Sequence, residues 1–160
     1  MMMKSLMNKR MDTKKTLITL SLILVLALSL MVMQAYAATQ SIQFLNADGS
    51  VSTHATSFIK DGQAEVSGSP GNYTVTITLN NTYPPFPLIP VSYDYLKADL
   101  NGAPGGDGTY EVTATKTVSG STTIFTISGV SNLTDNIPIL LYVNAGIFHN
   151  AEYMLFIDWL

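Results

Sequence analysis

The chain has 160 residues, no cysteine, and 8 Lys+Arg against 11 Asp+Glu, so a disulfide framework, a thiolate metal site and a cysteine nucleophile are all excluded. Residues 1–37 hold 5 of the bases and 1 of the acids, leaving 3 against 10 in the remainder. That remainder carries about −7, which excludes nucleic acid and anionic membrane as electrostatically recruited partners.

The first element is a leader. Lys4, Lys9, Arg10, Lys14 and Lys15 precede an apolar run from Leu17 to Met33, and Ala35-Tyr36-Ala37 supplies a small-x-small cleavage pattern. This is the layout of a secretory signal peptide, with cleavage expected after Ala37. Residues 38–160 then form one domain, long enough for a core without a staple. No LPxTG-like sorting sequence, wall-spanning stalk or second hydrophobic segment is present. The expected product is secreted, extracellular or loosely cell-wall associated, with no membrane contact after cleavage.

Strand signals fill the rest. In "NYTVTITL", residues 72–79, Tyr73, Val75, Ile77 and Leu79 alternate with threonines, the period of two of a strand buried on one face. "SPGN" provides the turn before it and "QAEVSG" a partner strand. "TYEVTATKT" and "STTIFTIS" flank a "VSG" turn, and "IPILLYV" and "FHNAEYMLFIDW" flank "NAG". Pro84, Pro85, Pro87 and Pro90 make residues 82–91 a loop or an edge strand, and "NGAPGGDG", residues 101–108, a flexible connection. No window has helical periodicity. The fold class predicted is all-β: an immunoglobulin-like antiparallel β-sandwich of seven to eight strands.

Enzymatic chemistry has little support. "NGAPGGDG" lacks the Gly-Lys-Ser/Thr ending of a phosphate loop, and no acids recur at calcium-loop spacing. "SFIK", Ser57 to Lys60, matches Ser-x-x-Lys, but the accompanying motifs and the helix that would carry the serine are missing. The protein is expected not to be an enzyme. The terminal strand is more informative, because period two puts His149, Tyr153, Leu155 and Ile157 on one face. A nitrogen donor and a phenol thereby share an apolar surface.

Three blocks in order, "SIQFLNADGSVSTHATSFIKDGQAEVSGSPGNYTVTITLNN", "ISGVSNLTDNIPILLYV" and "IFHNAEYMLFIDW", resemble the NEAT (near-iron transporter) domain, the haem-binding β-sandwich of Gram-positive haem-uptake proteins. The resemblance runs from Ser41 to Trp159. It implies a short 3-10 lip after the first strand, haem (iron protoporphyrin IX) as cofactor, and a role as a haemophore-like carrier. Such a carrier captures haem and passes it to a receptor or another NEAT-domain protein in iron acquisition.

Carried over by position, the family's iron-binding tyrosine falls on His149 and its supporting tyrosine on Tyr153. The lip serine that bonds a propionate falls on Thr53, a distal-side residue on His54, and a porphyrin-covering aromatic on Phe58. Ile139, Leu141, Val143 and Ile147 are expected walls, and Lys60 a further donor. Imidazole is a normal axial ligand for ferric and ferrous iron, so His149 in place of tyrosine predicts a site that keeps haem on reduction. Four residues of strand span about 13 Å, which leaves Tyr153 as the alternative iron ligand. The rival reading is a haem-free β-sandwich acting in adhesion or protein contact.

Overall fold

A computed structural model describes residues 36–83, 86–147 and 149–160. The expected leader lies outside these residues apart from Tyr36 and Ala37, which open the first strand, and Tyr36–Leu160 forms one compact unit. In chain order the elements are β1 (Tyr36–Leu45), the lip helix α1 (Thr53–Thr56), β2 (Ile59–Ser69), β3 (Asn72–Asn80), β4 (Thr82–Tyr83) and β5 (Phe86–Pro90). They continue with β6 (Ser92–Ala98), β7 (Val112–Thr113), β8 (Thr115–Ser119), β9 (Thr122–Val130), β10 (Ile137–Asn144) and β11 (Asn150–Trp159).

Nine strands run in the order β7-β6-β10-β11-β1-β2-β3-β9-β8, every pair antiparallel. Two short crossings join its halves. The first part of β1, Tyr36 to Ser41, pairs with β2, whereas Ile42 to Leu45 pair with β11. The outermost strands β7 and β8 are separated in sequence by Ala114 alone, a buried residue whose N–H bonds the Leu96 carbonyl. The chain thus links the ladder at its middle and at its two edges, which gives the sandwich a barrel-like character.

Strand number is where expectation and structure part. "TYEVTATKT" is not one strand but two, because it changes partner at Ala114, and residues 82–91 contribute the separate β4–β5 ribbon. Eleven strands result among the described residues, and the antiparallel sandwich stands. The expected 3-10 lip is instead one α-helical turn, since Thr56 and Ser57 donate to the carbonyls four residues back, Ser52 and Thr53. Only the last bond, from Phe58 N–H to Ala55, has i to i−3 spacing.

The core is built by alternation. Val75, Ile77 and Leu79 of β3 are buried, as are Phe125 and Ile127 of β9 and Leu155 and Ile157 of β11, while Thr74, Thr76 and Thr78 face outward. Each buried aliphatic side chain contributes about 1.5–3 kcal/mol. Slipping β3 by one residue would therefore expose three of them at a cost of at least about 5 kcal/mol, so its register is fixed by burial.

The glycine-rich connection is ordered, contrary to the flexible link expected. Asp99, fully buried at the end of β6, accepts hydrogen bonds from Gly102 N–H and Asp107 N–H, both 2.7 Å. A Cβ on Gly102 would lie 2.4 Å from the Asp107 nitrogen and 2.6 Å from the Asp99 carboxylate. Glycine is needed there because the carboxylate sits where a side chain would go.

Candidate ligand-binding pocket

Beyond β1, Asn46 and Ser50 close a tight turn, with Ser50 donating through its N–H (2.9 Å) and hydroxyl (2.6 Å) to the Asp48 carboxylate. The Ser50 hydroxyl, then its backbone N–H, hold the Asp48 carboxyl below the usual range. From this turn the chain enters α1. Thr56 Oγ1 accepts the Phe44 N–H at 2.9 Å, and the Phe58 carbonyl accepts the Asn80 N–H at 2.8 Å. The lip is thereby tied to β1 at one end and to the end of β3 at the other.

A bulge lets it turn. Ile59 pairs with Leu79, but the next pair is Ala64 with Ile77, so residues 60–63 stand against Thr78 alone and β2 carries three extra residues, with Asp61 and Gly62 at φ of +58° and +64°. Such a bulge re-aims the strand. Phe58, 8% exposed, consequently points into the core end while His54 stays exposed. Ser57 Oγ donates to the His54 carbonyl at 2.7 Å. The serine of the Ser-x-x-Lys match thus closes the lip turn.

On the facing wall, β10 and β11 pair from Ile137↔Ile157 to Asn144↔Asn150, and Ala145 N–H donates to the His149 carbonyl at 2.7 Å. His149 therefore sits at the hairpin end, exposed, just before β11. Its ring lies 5.3 Å from that of Tyr153, centroid to centroid, with 31° between planes. Backbone rise alone had set these residues far apart. His149 precedes β11, and the two rings are nonetheless neighbours.

Between lip and hairpin lies a cavity of about 400 Å³. His54, Ala55 and Phe58 line it from the lip, and Tyr153, Leu155 and His149 from the hairpin. Leu141, Val143, Leu79 and Phe44 add apolar wall, and Tyr93 closes the floor. The Tyr93 hydroxyl donates to the Asn80 carbonyl at 2.8 Å, and burial raises its pKa well above that of free tyrosine. His54 stands edge-on to Phe58 (5.5 Å, 84°), Phe58 to Tyr93 (6.4 Å, 83°), and Tyr93 to Phe125 (6.4 Å, 80°).

Of the six residues predicted for the site, the structure brings His54, Phe58, His149 and Tyr153 together. Thr53 and Ile147 are not brought in. Thr53 opens α1, where neighbouring side chains diverge by about 100°, and its neighbour Ser52 lines the cavity instead. Ile147 lies in the turn after Gly146, where period-two alternation no longer holds, and is 95% exposed. Of the other expected walls, Ile139 belongs to the core, and Lys60 is exposed away from the cavity.

Sequence reasoning missed several lining residues. Ile89 and Val91 come from the proline-rich segment, which reads as loop, and Asn46 from a turn. Met154, 60% exposed, lines the rim although its parity points it outward. None of these carries a sequence signal; Tyr93, missed as well, does, because its alternation with Asp94 marks it as inward.

Among the described residues the lining contains no Asp, Glu, Lys or Arg. Among the described residues no group of three or more His, Cys, Asp or Glu could hold a bare metal ion. The cavity suits a largely apolar ligand held by a few polar groups.

No family model matches the sequence, and no curated protein matches it. The structure is similar to that of the NEAT5 domain of IsdX2, described as a B. anthracis hemophore in complex with heme. The TM-score is 0.57 at 12% identity, over 79% of this chain and 96% of that one. The chain has a NEAT-like β-sandwich fold.

Proposed function

We propose that the protein binds haem without catalysing a reaction and acts as a secreted carrier that hands it to a receptor or to another haem-binding domain. The observation that carries this reading is the convergence of both histidines of the chain, with Tyr153, on one apolar cavity in a NEAT-like fold. The donor set fits the group. Imidazole and phenol are axial ligands of haem iron, the aliphatic and aromatic walls match a porphyrin face, and Ser52 and Asn46 offer neutral donors at the rim for its carboxylates. When bound, haem supplies only a coordination site and a colour. The chain's own residues hold it, shield one face and leave an edge for transfer.

Adding ferric haem to the purified protein and to His149→Ala tests the reading. A saturable visible band in the wild type, shifted or weakened in the variant, is expected. A wild-type spectrum identical to free haem at every ratio would refute the proposal. It would favour the second reading, a module for protein contact, for which the exposed apolar Ile147 and Met154 beside the cavity speak.

A further inference from the structure

The two outer faces of the sandwich differ in chemistry. Over β3 and β9 the outward residues are mostly hydroxylic, among them Thr74, Thr76, Thr78, Thr126 and Ser128. Over β10, β11 and β1 they are largely apolar: Leu140 and Tyr142, Met154 and Phe156, and Leu45. Four of these are half-buried and Met154 is 60% exposed. The run "IPILLYV" is therefore apolar on both sides of β10, the pattern of a strand that is covered on both faces. Its inner face meets the core, and its outer face forms a patch continuous over three strands, the kind of surface that marks a contact.

The charges at the margin of this patch point to what it meets. Lys97 on β6 pairs with Leu140, whereas Asp158 pairs with Gln43 at the far side of β11. They stand at opposite corners of the patch, about 17 Å apart by strand spacing and rise. Lys97 Nζ lies 5.0 Å over the Tyr95 ring and Asp158 accepts Gln43 Nε2 at 2.8 Å, contacts that neutralise neither charge. The point midway between the two falls on β10 in the row of Pro138 and Phe156, within the patch. A two-fold axis through that point lays patch on patch and brings each Lys97 over the Asp158 of the other copy. Such self-complementarity is the requirement of an isologous contact.

We infer that this face joins two copies of the chain, sheet on sheet, in a reversible dimer whose register is set by Lys97 and Asp158. The inference goes beyond the haem reading and does not depend on it. The patch spans about 14 Å across the strands and about 20 Å along them, roughly 300 Å² in plan for each copy. That is below the roughly 800 Å² per partner of a stable complex, and the charge of about −7 on residues 38–160 repels a second copy. The dimer is therefore weak and concentration-dependent. Apolar contact supplies its affinity, and the charge pairs reject other registers.

Sedimentation velocity of the haem-free protein, from micromolar to millimolar concentration, tests this on the wild type, Phe156→Glu, Lys97→Glu and Asp158→Lys. Thermal melting of each variant reports that it folds. The wild type is expected to pass from monomer to dimer as concentration rises, and Phe156→Glu to raise the midpoint by about tenfold or more. Lys97→Glu and Asp158→Lys should each be monomeric alone, because each sets like charges against one another at both corners. Mixed in equal amounts they should dimerise again, since every corner then meets its opposite. A wild type monomeric throughout overturns the inference and leaves the face to a different protein. A dimer indifferent to Phe156→Glu overturns it by placing the contact elsewhere. Charge variants that dimerise alone as the wild type does, or that stay monomeric when mixed, overturn the pairing on which it rests.

Discussion

The two ends of β10 solve the same problem in opposite ways. At its start, beside Pro138, residues 101–108 form a glycine-rich loop whose amides turn inward to the buried Asp99 carboxylate. Glu111 Oε1 accepts two more, from Leu100 and Asn101 N–H, at 2.8 and 3.0 Å. At its end the hairpin turn and the facing lip leave His54 and His149 exposed on the lining of a cavity, and Ile147 exposed in the turn. One region spends its polar groups on itself. The other leaves two imidazole side chains and apolar surface exposed, which folding alone does not require.

The comparison is broken most severely at Asp99. Asp99→Ala leaves the Gly102 and Asp107 amides without the carboxylate that accepts them, and an unsatisfied donor costs about 1–3 kcal/mol. A loss of about 3 kcal/mol is expected in the denaturant midpoint at unchanged slope. Haem binding by the folded fraction should be unaffected, since Asp99 is not part of the cavity lining. The Tyr110 hydroxyl, whose pKa is raised first by burial and second by the Asp99 charge, should titrate lower in Asp99→Asn. An Asp99→Ala protein as stable as wild type would mean the loop is not held by this carboxylate.

A smaller effect is expected at the cavity floor. Tyr93→Phe removes one hydrogen bond to the Asn80 carbonyl and leaves the ring contacts in place, at a cost of about 1 kcal/mol. Because that carbonyl belongs to the end of β3 to which Phe58 is tied, the variant should loosen the lip locally. Faster amide exchange at Asn80, whose N–H bonds the Phe58 carbonyl, measures it, and exchange unchanged from wild type would rule the link out.

Tyr95 offers a contrast within the hairpin's outer surface. Its hydroxyl donates to the Glu152 carboxylate, its ring lies 5.4 Å from Tyr142, and Lys97 Nζ sits 5.0 Å over it. The Glu152 bond, then desolvation, then the negative charge of Glu152 push its pKa up to about 12. A folded value above the unfolded one means that this contribution to stability is complete below pH 10 and is lost as pH rises toward 12. Stability measured across that window should fall less steeply in Tyr95→Phe. Identical slopes would remove Tyr95 as the source.

How much of this was legible follows from which signals are local. The alternation in residues 72–79 and along β11 identified buried strands because period two is a local property. The partner change at Ala114 was invisible, since it depends on which strands the segment meets. His54, Phe58, His149 and Tyr153 were found through a resemblance that aligned them, and their convergence needs the fold. Thr53 was displaced by Ser52 because one residue changes direction on a helical turn, a phase that the sequence does not print. Ile89 and Val91 lay hidden among prolines. Asp99 looked like any loop-flanking acid, because burial of a carboxylate shows only once its amide partners are in place.

The smallest expected effect sharpens the comparison furthest. Ile147 is 95% exposed, so Ile147→Ser removes no buried area and should change stability by no more than about 0.5 kcal/mol. Gly146, at φ +64° with its N–H on Asn144 Oδ1 at 2.8 Å, sets the turn without help from the isoleucine. An apolar side chain that folding does not use, beside a cavity mouth, has its effect in encounter with something else. If that partner is another protein, Ile147→Ser should leave the haem titration unchanged while slowing haem passage to an acceptor. A large loss of stability instead would show that the turn depends on Ile147 and belongs, with the Asp99 loop, to the self-satisfied part of the molecule.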